Sequence, residues 1–314
     1  MDKGTKILIV INIILMIALG ILYFVLFSDS KAERGHKHKK TSTFSVQAVE
    51  ESPDVASDRD EIQEMMRSTL GKETSKFSIY LFRPDIESQP LIFQSRPMRP
   101  ASMIKMFVLA KVMQDAKDGL LALDELITIT PANIVGGAGS IAGEGANAKV
   151  PIRKAAELMI TESDNTATNI LIDRIGMENL NQYIRANGYN DTIVNHKMML
   201  QRGNTNLSSA ADLGMLFKRI YEHTCVDEYY DRLMISYLLK QQDRECFPAA
   251  LPYWNIAHKT GEVDNLYDDG GIFYGPQGDF ILVIMNDNYE NRGETIDKMR
   301  KITARIARDY ISQK

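Results

Sequence analysis

The sequence predicts an α/β fold of the α+β type. In this fold one antiparallel sheet is flanked by N- and C-terminal helices, and a helical lobe is inserted between its strands. Segments with strand character occur near both ends of the folded body, at residues 76–94 and 254–285, and they enclose a long helical stretch. The final segment, residues 294–311, places its apolar residues on one stripe of a helix. Strands distant in sequence must then pair in one sheet that helices cover.

The N-terminal part of the body is predicted to contain one helix and two strands. The helix begins at Ser57, a suitable N-cap that is followed by apolar residues at helical spacing, and it ends at Gly71. The strands cover residues 76–82 and 90–94, because apolar and polar side chains alternate along the first of them.

The middle of the chain is predicted to be helical from residue 102 to about residue 220. Glycine-rich loops interrupt it at residues 136–139 and 143–148. Strand character then returns in three segments, 254–259, 271–274 and 279–285.

Residues 7–27 are almost entirely apolar and predict one transmembrane helix that precedes the body. At about 1.5 Å per residue this segment is about 31 Å long, enough to cross a hydrocarbon core. A cleaved signal peptide is the alternative, but its apolar region would be shorter and would end at a small-residue site. The predicted organisation is thus a short tail (1–6), an anchor (7–27), a charged flexible tether (28–56) and the body (57–314). Lysines and arginines are more numerous after the anchor than before it, which by itself favours a cytoplasmic body.

The charge distribution excludes one class of partner. The formal net charge is −4, but the first 40 residues contain seven Lys and Arg against three Asp and Glu. The remainder is therefore acidic, and an acidic body argues against nucleic acid as a partner. The histidines show no metal-ligand spacing, so we expect neither a metal nor a cofactor.

Three short motifs follow one another along the body. Ser102 and Lys105 form Ser-x-x-Lys, Ser163-Asp164-Asn165 comes about 60 residues later, and Lys259-Thr260-Gly261 comes about 95 residues after that. Each motif alone is weak evidence, but the three in this order point to a serine nucleophile with a lysine neighbour.

The chemistry of these residue types supports that interpretation. A serine in the first turn of a helix lies near free backbone N–H groups, and Lys105, three residues later, lies on the same helix face. A lysine that is desolvated and close to another cation has a lowered pKa and can accept the serine proton as a neutral amine. Lys259 and Thr260 offer a charge and a hydroxyl to a carboxylate, and Gly261 permits a close backbone approach.

Residues 57–312 resemble the class A β-lactamase branch of the penicillin-recognising serine hydrolases, most closely in residues 163–169 and 257–262. The resemblance implies a β-lactamase/DD-peptidase-like fold and an acyl-enzyme mechanism, in which Ser102 is the nucleophile and Lys105 its base partner. It also implies roles for the other motif residues: a proton relay of Ser163 and Lys259, substrate contacts from Asn165 and Thr260, and an oxyanion hole from the backbone N–H groups of Ser102 and Glu262.

One departure from the class A pattern concerns deacylation. The resembling enzymes carry a Glu-x-x-Leu-Asn loop whose glutamate activates water. Here the corresponding residues 188–207 form a short loop, Asp191 is its only acidic residue, and Met198 and Met199 stand near the glutamate position. We therefore expect slow deacylation. No arginine occurs around residues 270–273, where many class A enzymes hold the substrate carboxylate.

The sequence thus predicts a membrane-anchored, extracytoplasmic serine hydrolase whose substrates are β-lactams or D-Ala-D-Ala-like peptidoglycan stem peptides. The alternative is a β-lactam or cell-wall sensor or binding protein without turnover. The motifs imply an extracytoplasmic substrate, which opposes the orientation that local charge favours. Cys225 and Cys246 are compatible with a disulfide or with two unpaired thiols. The oligomeric state is left open.

Overall fold

The computed structural model describes residues 53–201 and 203–311. Its main element is a five-stranded antiparallel sheet with the strand order β2-β1-β7-β6-β5. The strands are β1 (Phe77–Phe82), β2 (Leu91–Phe93), β5 (Asn255–Val263), β6 (Leu266–Tyr274) and β7 (Phe280–Asn286). Strands from the two ends of the body pair directly, with Ile79 opposite Ile284 in the β1–β7 ladder. The predicted α+β fold is confirmed.

Helices cover both faces of this sheet. On one face lie α1 (Pro53–Leu70) and α9 (Arg292–Arg305), which continues into a π-turn at Ile306–Tyr310. The helical lobe on the other face is formed by six helices: α2 (Lys105–Lys117), α3 (Ile152–Thr161), α4 (Asn165–Ile175), α5 (Met177–Ala186), α6 (Ala210–Tyr221) and α7 (Glu228–Leu238). A short helix, α8 (Phe247–Ala250), precedes β5.

The sheet separates two hydrophobic cores. Alternate residues of β7 contribute to each, since Ile281 and Val283 pack toward the lobe whereas Leu282 and Ile284 pack toward the terminal helices. Every residue of β1 and β7 is therefore buried. Two covered faces explain why these antiparallel strands carry apolar side chains on both sides.

Several predicted boundaries differ from the observed ones. α1 already includes residues 53–56, so the predicted start at Ser57 is four residues late. β5 and β6 are longer than predicted, which places Lys259 and Thr260 inside a strand rather than at its end. The lobe also contains a two-stranded sheet of β3 (Leu126–Thr128) and β4 (Lys149–Pro151) that was not predicted.

The predicted anchor at residues 7–27 and the tether up to residue 52 lie outside the described residues. Within residues 53–201 and 203–311, no helix combines the length and apolar character needed to cross a membrane.

Candidate active site

Ser102 lies in a short 3₁₀ helix, Ala101–Ile104, that leads directly into α2. The preceding residue, Ala101, has a φ of +41°, a left-handed conformation that is unusual for a residue with a side chain. Gly261 on β5 packs against this turn, and a Cβ atom at Gly261 would lie 2.7 Å from the carbonyl oxygen of Pro100. The glycine thus brings the edge strand close to the turn that carries Ser102. Close approach of a substrate backbone, the predicted reason for this glycine, stays a prediction.

Lys105, the first residue of α2, is completely buried and has three hydrogen-bond partners. Its Nζ lies 2.6 Å from the carbonyl oxygen of Ser163, 3.1 Å from Ser163 Oγ and 2.8 Å from Asn165 Oδ1. Ser102 Oγ is not among these partners, although Ser102 and Lys105 share one turn of the chain. The structure therefore joins Lys105 to the second motif rather than to the serine three residues earlier.

The hydroxyl of Ser163 links the two motif lysines. Lys259 Nζ donates to Ser163 Oγ at 3.0 Å and to the carbonyl oxygen of Thr260 at 2.7 Å. Ser163 itself has a φ of +57°. Strained backbone of this kind is often found where a side chain must point in a required direction. The strands and helices thus bring Lys105, Ser163 and Lys259 together from three separate parts of the chain.

Burial changes the acid–base properties of both lysines. It lowers the pKa of Lys105 well below the ordinary lysine value, and the charge of Lys259 lowers it further while Asp164 opposes the shift. Burial also lowers the pKa of Lys259 to about 8, although the carboxylates of Asp243 and Asp269 act to raise it. Lys105 is therefore suited to act as a neutral base, and Lys259 keeps its proton up to a higher pH.

The remaining residues of the second motif orient α4 and the glycine loop. Asp164 caps α4 by accepting a hydrogen bond from the N–H of Ala167, and it also accepts one from the N–H of Ile141. The amide of Asn165 accepts from Lys105 and donates to the carbonyl of Gly136 at 3.1 Å. Gly139 packs so closely that a Cβ there would overlap Asp164.

A cavity of about 870 Å³ lies next to these residues. It is lined by Ser102, Ser163, Asn165, Thr260 and Glu262, so five of the predicted site residues face one space. The side chain of Glu262 forms ion pairs with Arg292, whereas its predicted role concerns the backbone N–H. β5 is an edge strand, so alternate N–H groups along it have no partner in the sheet. The oxyanion hole stays a prediction.

The short loop at residues 188–207 forms another wall of the cavity. Met198 and Met199 line it, whereas Asp191 does not and instead donates its backbone N–H to Asp212. Sequence reasoning missed five ionisable residues on the lining: Arg99, Glu162, His196, Asp243 and Asp264. Only Glu162 carried a signal, its position directly before Ser163. The backbone N–H of Glu162 donates to the carbonyl oxygen of Leu158, whereas its side chain has no hydrogen bond or ion pair within the described part of the chain.

Two other expectations concern cysteine and metal. Cys225 and Cys246 are both free thiols and do not form the disulfide that was one of the two alternatives. Among residues 53–201 and 203–311, no group of three or more His, Cys, Asp or Glu side chains is arranged to hold a metal ion.

Comparisons with known proteins agree with this geometry. The structure of PBP-A superimposes with a TM-score of 0.74 at 26% identity, covering 81% of this chain and 97% of PBP-A. A β-lactamase from Sphaerobacter thermophilus has a TM-score of 0.70 at 22% identity, covering 80% of this chain and 96% of that one. No curated protein matches the sequence. The family model described as the Beta-lactamase enzyme family matches residues 59–310. The chain therefore belongs to the Beta-lactamase enzyme family and is a serine hydrolase of the β-lactamase type.

Proposed function

We propose that this hydrolase transfers the acyl group of a β-lactam, or of a peptidoglycan peptide ending in D-Ala-D-Ala, to Ser102 and releases it slowly. Both kinds of compound present an amide beside a carboxylate, so one site can acylate on either. The observation that carries the proposal is the Ser163 hydroxyl, which contacts both Lys105 and Lys259 beside the cavity that Ser102 lines.

In acylation the neutral amine of Lys105 accepts the proton of Ser102 while Ser102 Oγ attacks the carbonyl carbon. For this step Lys105 gives up one of its three hydrogen bonds and turns to Ser102. Catalytic hydrogen bonds often form fully only in the substrate complex. The intermediate then collapses and its C–N bond breaks. Ser163 donates its proton to the leaving nitrogen and regains one from the Lys105 ammonium. Lys259 remains charged throughout.

Five further groups bind the substrate or the oxyanion in this proposal. The Thr260 hydroxyl binds the substrate carboxylate, because Thr260 lines the cavity, and the buried Lys259 ammonium, which donates to the carbonyl oxygen of Thr260, supplies the positive charge close by. The Asn165 amide contacts the substrate amide. Backbone N–H groups of Ser102 and Glu262 stabilise the oxyanion.

A penicillin complex of a relative supports the β-lactam part of the proposal. A leucine-to-glutamate variant of PBP-A is known as an acyl-enzyme complex with penicillin G, and this chain superimposes on it with a TM-score of 0.73 at 26% identity. The overlap covers 82% of this chain and 98% of that one.

We infer slow deacylation from the side chains that the loop at residues 188–207 places on the cavity lining. A water molecule that attacks the acyl ester needs a base, and losing a positioned base typically costs about 10²–10⁴-fold in rate. The loop residues that line the cavity include two thioethers, Met198 and Met199, and no carboxylate. Asp191 is not among the residues that line the cavity, and its backbone N–H donates to Asp212.

Time-resolved intact-protein mass spectrometry with penicillin G tests this function. We expect one penicillin mass on the wild-type protein, persistence of the adduct for minutes or longer, and none on Ser102→Ala. Labelling of Ser102→Ala contradicts the nucleophile assignment. Loss of the wild-type adduct within seconds contradicts slow deacylation and points to another base on the cavity lining, for which Glu162→Gln and His196→Gln are the diagnostic variants.

We also propose that residues 7–27 anchor the protein in the cell membrane with the catalytic body outside. The support is the length of that apolar segment and the extracytoplasmic location of peptidoglycan substrates. Protease added to intact cells should release a body that starts near residues 41–53. A body that is protected until lysis contradicts the orientation, and a mature N-terminus near Ser28 shows a cleaved signal instead.

A further inference from the structure

One arginine joins three separate segments of the chain beside the catalytic cavity. Arg292, the first residue of α9, donates through Nε and Nη2 to the two carboxylate oxygens of Glu262 on β5, at 2.5 and 3.0 Å. Through Nη1 and Nη2 it also donates to the two carboxylate oxygens of Glu245, at 2.8 and 2.6 Å. Arg292 therefore binds both carboxylates in a bidentate manner, and such pairs fix direction as well as distance.

Tyr267 supports this cluster from the sheet. It lies directly opposite Glu262 in the β5–β6 ladder, so the two side chains are on the same face of the sheet. Tyr267 is completely buried, and the guanidinium carbon of Arg292 lies 5.3 Å from the centroid of its ring. The backbone at Arg292 is also held, because Asn291 caps α9 by accepting the N–H of Glu294. Arg292 thus has a fixed place from which it holds Glu262.

The position of Glu262 gives this cluster a catalytic consequence. Glu262 directly follows the Lys-Thr-Gly motif and lines the cavity, whereas Arg292 and Glu245 do not line it. β5 is at the edge of the sheet, so β6 holds it along one side, and their pairing ends at Val263. The pair of Arg292 with Glu262 therefore adds a side-chain attachment close to the free end of the edge strand.

The same cluster contributes little to the stability of the fold. The side chains of Arg292, Glu245 and Glu262 are 36%, 47% and 42% exposed. Ion pairs between side chains this exposed add little to stability, because water and salt weaken them. The effect of the cluster is therefore on the geometry of β5 rather than on whether the protein folds.

We propose that Arg292 is a positioning residue for acylation. By holding the side chain of Glu262 it fixes the end of β5, and with it the backbone N–H of Glu262 that stabilises the oxyanion in the proposed function. This role rests on the proposed function for its kinetic consequence. It makes the acylation rate depend on a residue of α9, a helix that carries none of the three motifs.

The first test is Arg292→Gln, with acylation by a fluorescent penicillin measured by stopped flow over a range of penicillin concentrations. A misplacement of about 1 Å can cost about 10²-fold in rate, so a partial loosening of β5 should lower the limiting acylation rate constant by about tenfold. The half-saturating penicillin concentration should change little. No change in the limiting rate constant, or an effect confined to the half-saturating concentration, overturns the proposal.

Arg292→Lys separates position from charge. Lysine keeps the positive charge, but its single ammonium group cannot bind two carboxylates in the bidentate manner of a guanidinium. The limiting rate constant should therefore fall in Arg292→Lys as well. Wild-type acylation by Arg292→Lys would show that the charge alone matters, which is contrary to the proposal.

Glu262→Ala removes the side chain through which Arg292 acts and retains the backbone N–H. We expect Glu262→Ala to lower the limiting rate constant, and Arg292→Gln to lower it no further in that background, because both changes break the same attachment. Losses that multiply in the double variant would show that Arg292 acts by a route other than Glu262, and would contradict the proposal.

The matched control is Arg300→Gln. Arg300 lies on the same helix and is 34% exposed, against 36% for Arg292. It donates through Nε to the backbone carbonyl oxygen of Glu245 at 2.8 Å and pairs with Asp297, and Glu262 is not among its partners. We expect wild-type acylation by Arg300→Gln, and a loss equal to that of Arg292→Gln would contradict the specific role of Arg292.

The hold on Glu262 can also be measured without substrate, by ¹⁵N relaxation of its backbone N–H. We expect the order parameter of the Glu262 amide to fall in Arg292→Gln and to keep its wild-type value in Arg300→Gln. An unchanged order parameter in Arg292→Gln overturns the positioning role. If penicillin does not acylate the wild-type protein but the order parameter still falls, the proposed function fails and the attachment of β5 by Arg292 stands.

Discussion

Asn169 holds Met198 by both atoms of its side-chain amide. The N–H of Met198 donates to Asn169 Oδ1 at 2.8 Å, and Asn169 Nδ2 donates to the carbonyl oxygen of Met198 at 3.1 Å. Asn169 is completely buried in α4, so this pair attaches the loop at residues 188–207 to the helix that follows the second motif. The cavity wall formed by this loop is therefore positioned by the same helix as Asn165.

Asn169→Ala should loosen this wall. Loss of the two hydrogen bonds to Met198 and of a longer one to the carbonyl oxygen of Asn133 leaves backbone groups unpaired and should lower the free energy of unfolding by about 2–3 kcal/mol. Thermal denaturation measures the change, and Asn179→Ala is the control. Asn179 makes one hydrogen bond to Ile175 within its own helical region and should cost less than about 1 kcal/mol. Equal losses in the two variants would contradict the anchoring role of Asn169.

The acylation rate should have an acid and an alkaline limb. As pH falls through the lowered pKa of Lys105, its amine gains a proton and loses the lone pair that accepts the Ser102 proton. As pH rises through about 8, Lys259 loses the charge that supports Ser163. Stopped-flow acylation with a fluorescent penicillin measures both limbs. Lys259→Arg retains a charge and should lose the alkaline limb, and a limb that persists in Lys259→Arg belongs to a different group.

Gly261→Ala should separate β5 from the turn that carries Ser102. The added Cβ would lie 2.7 Å from the carbonyl oxygen of Pro100, so strand or turn must move. We expect a loss of about 2 kcal/mol of stability and a marked fall in acylation rate. The matched control is Gly143→Ala, where an added Cβ meets nothing within 4 Å. Wild-type acylation by Gly261→Ala would show that the close contact is dispensable.

Met198→Glu should shorten the lifetime of the acyl-enzyme. The side chain of residue 198 lies on the cavity wall and its backbone is held by Asn169. A glutamate there therefore adds a carboxylate base to a wall on which this loop has none. Intact-protein mass spectrometry after removal of free penicillin measures the decay. Met198→Gln has nearly the same shape without a base and serves as the control. Similar decay in both variants would show that a carboxylate at this position does not reach the attacking water.

Motif spacing carries much of the information about the site. The order of Ser-x-x-Lys, Ser-Asp-Asn and Lys-Thr-Gly is enough to expect Lys105, Ser163 and Lys259 in one place, because each motif begins or lies inside a regular element. The apolar stripe of the last helix and the strands at both ends likewise indicate the sandwiched sheet.

Other features could not be read from the sequence, for physical reasons. β3 and β4 have three residues each, too few to show a period of two. β6 contains Asp268, Asp269 and two glycines, which break the apolar pattern of a strand although all are buried. The partners of Lys105 depend on the rotamer of one long side chain and on the left-handed backbone of Ser163, which no local pattern specifies.

The left-handed backbone of Ser163 has a consequence for attempts to stabilise this enzyme. A residue with a Cβ pays roughly 1–2 kcal/mol in this conformation, and glycine does not. Ser163→Gly relieves this strain, but it also removes the hydroxyl that joins the two lysines and leaves each buried lysine without one hydrogen-bond acceptor. The free energy gained from the relaxed backbone is offset by the two lost hydrogen bonds, so selection for heat resistance alone does not favour the loss of the hydroxyl on which acylation depends. The hydroxyl that serves the chemistry thus also compensates for the backbone conformation that positions it.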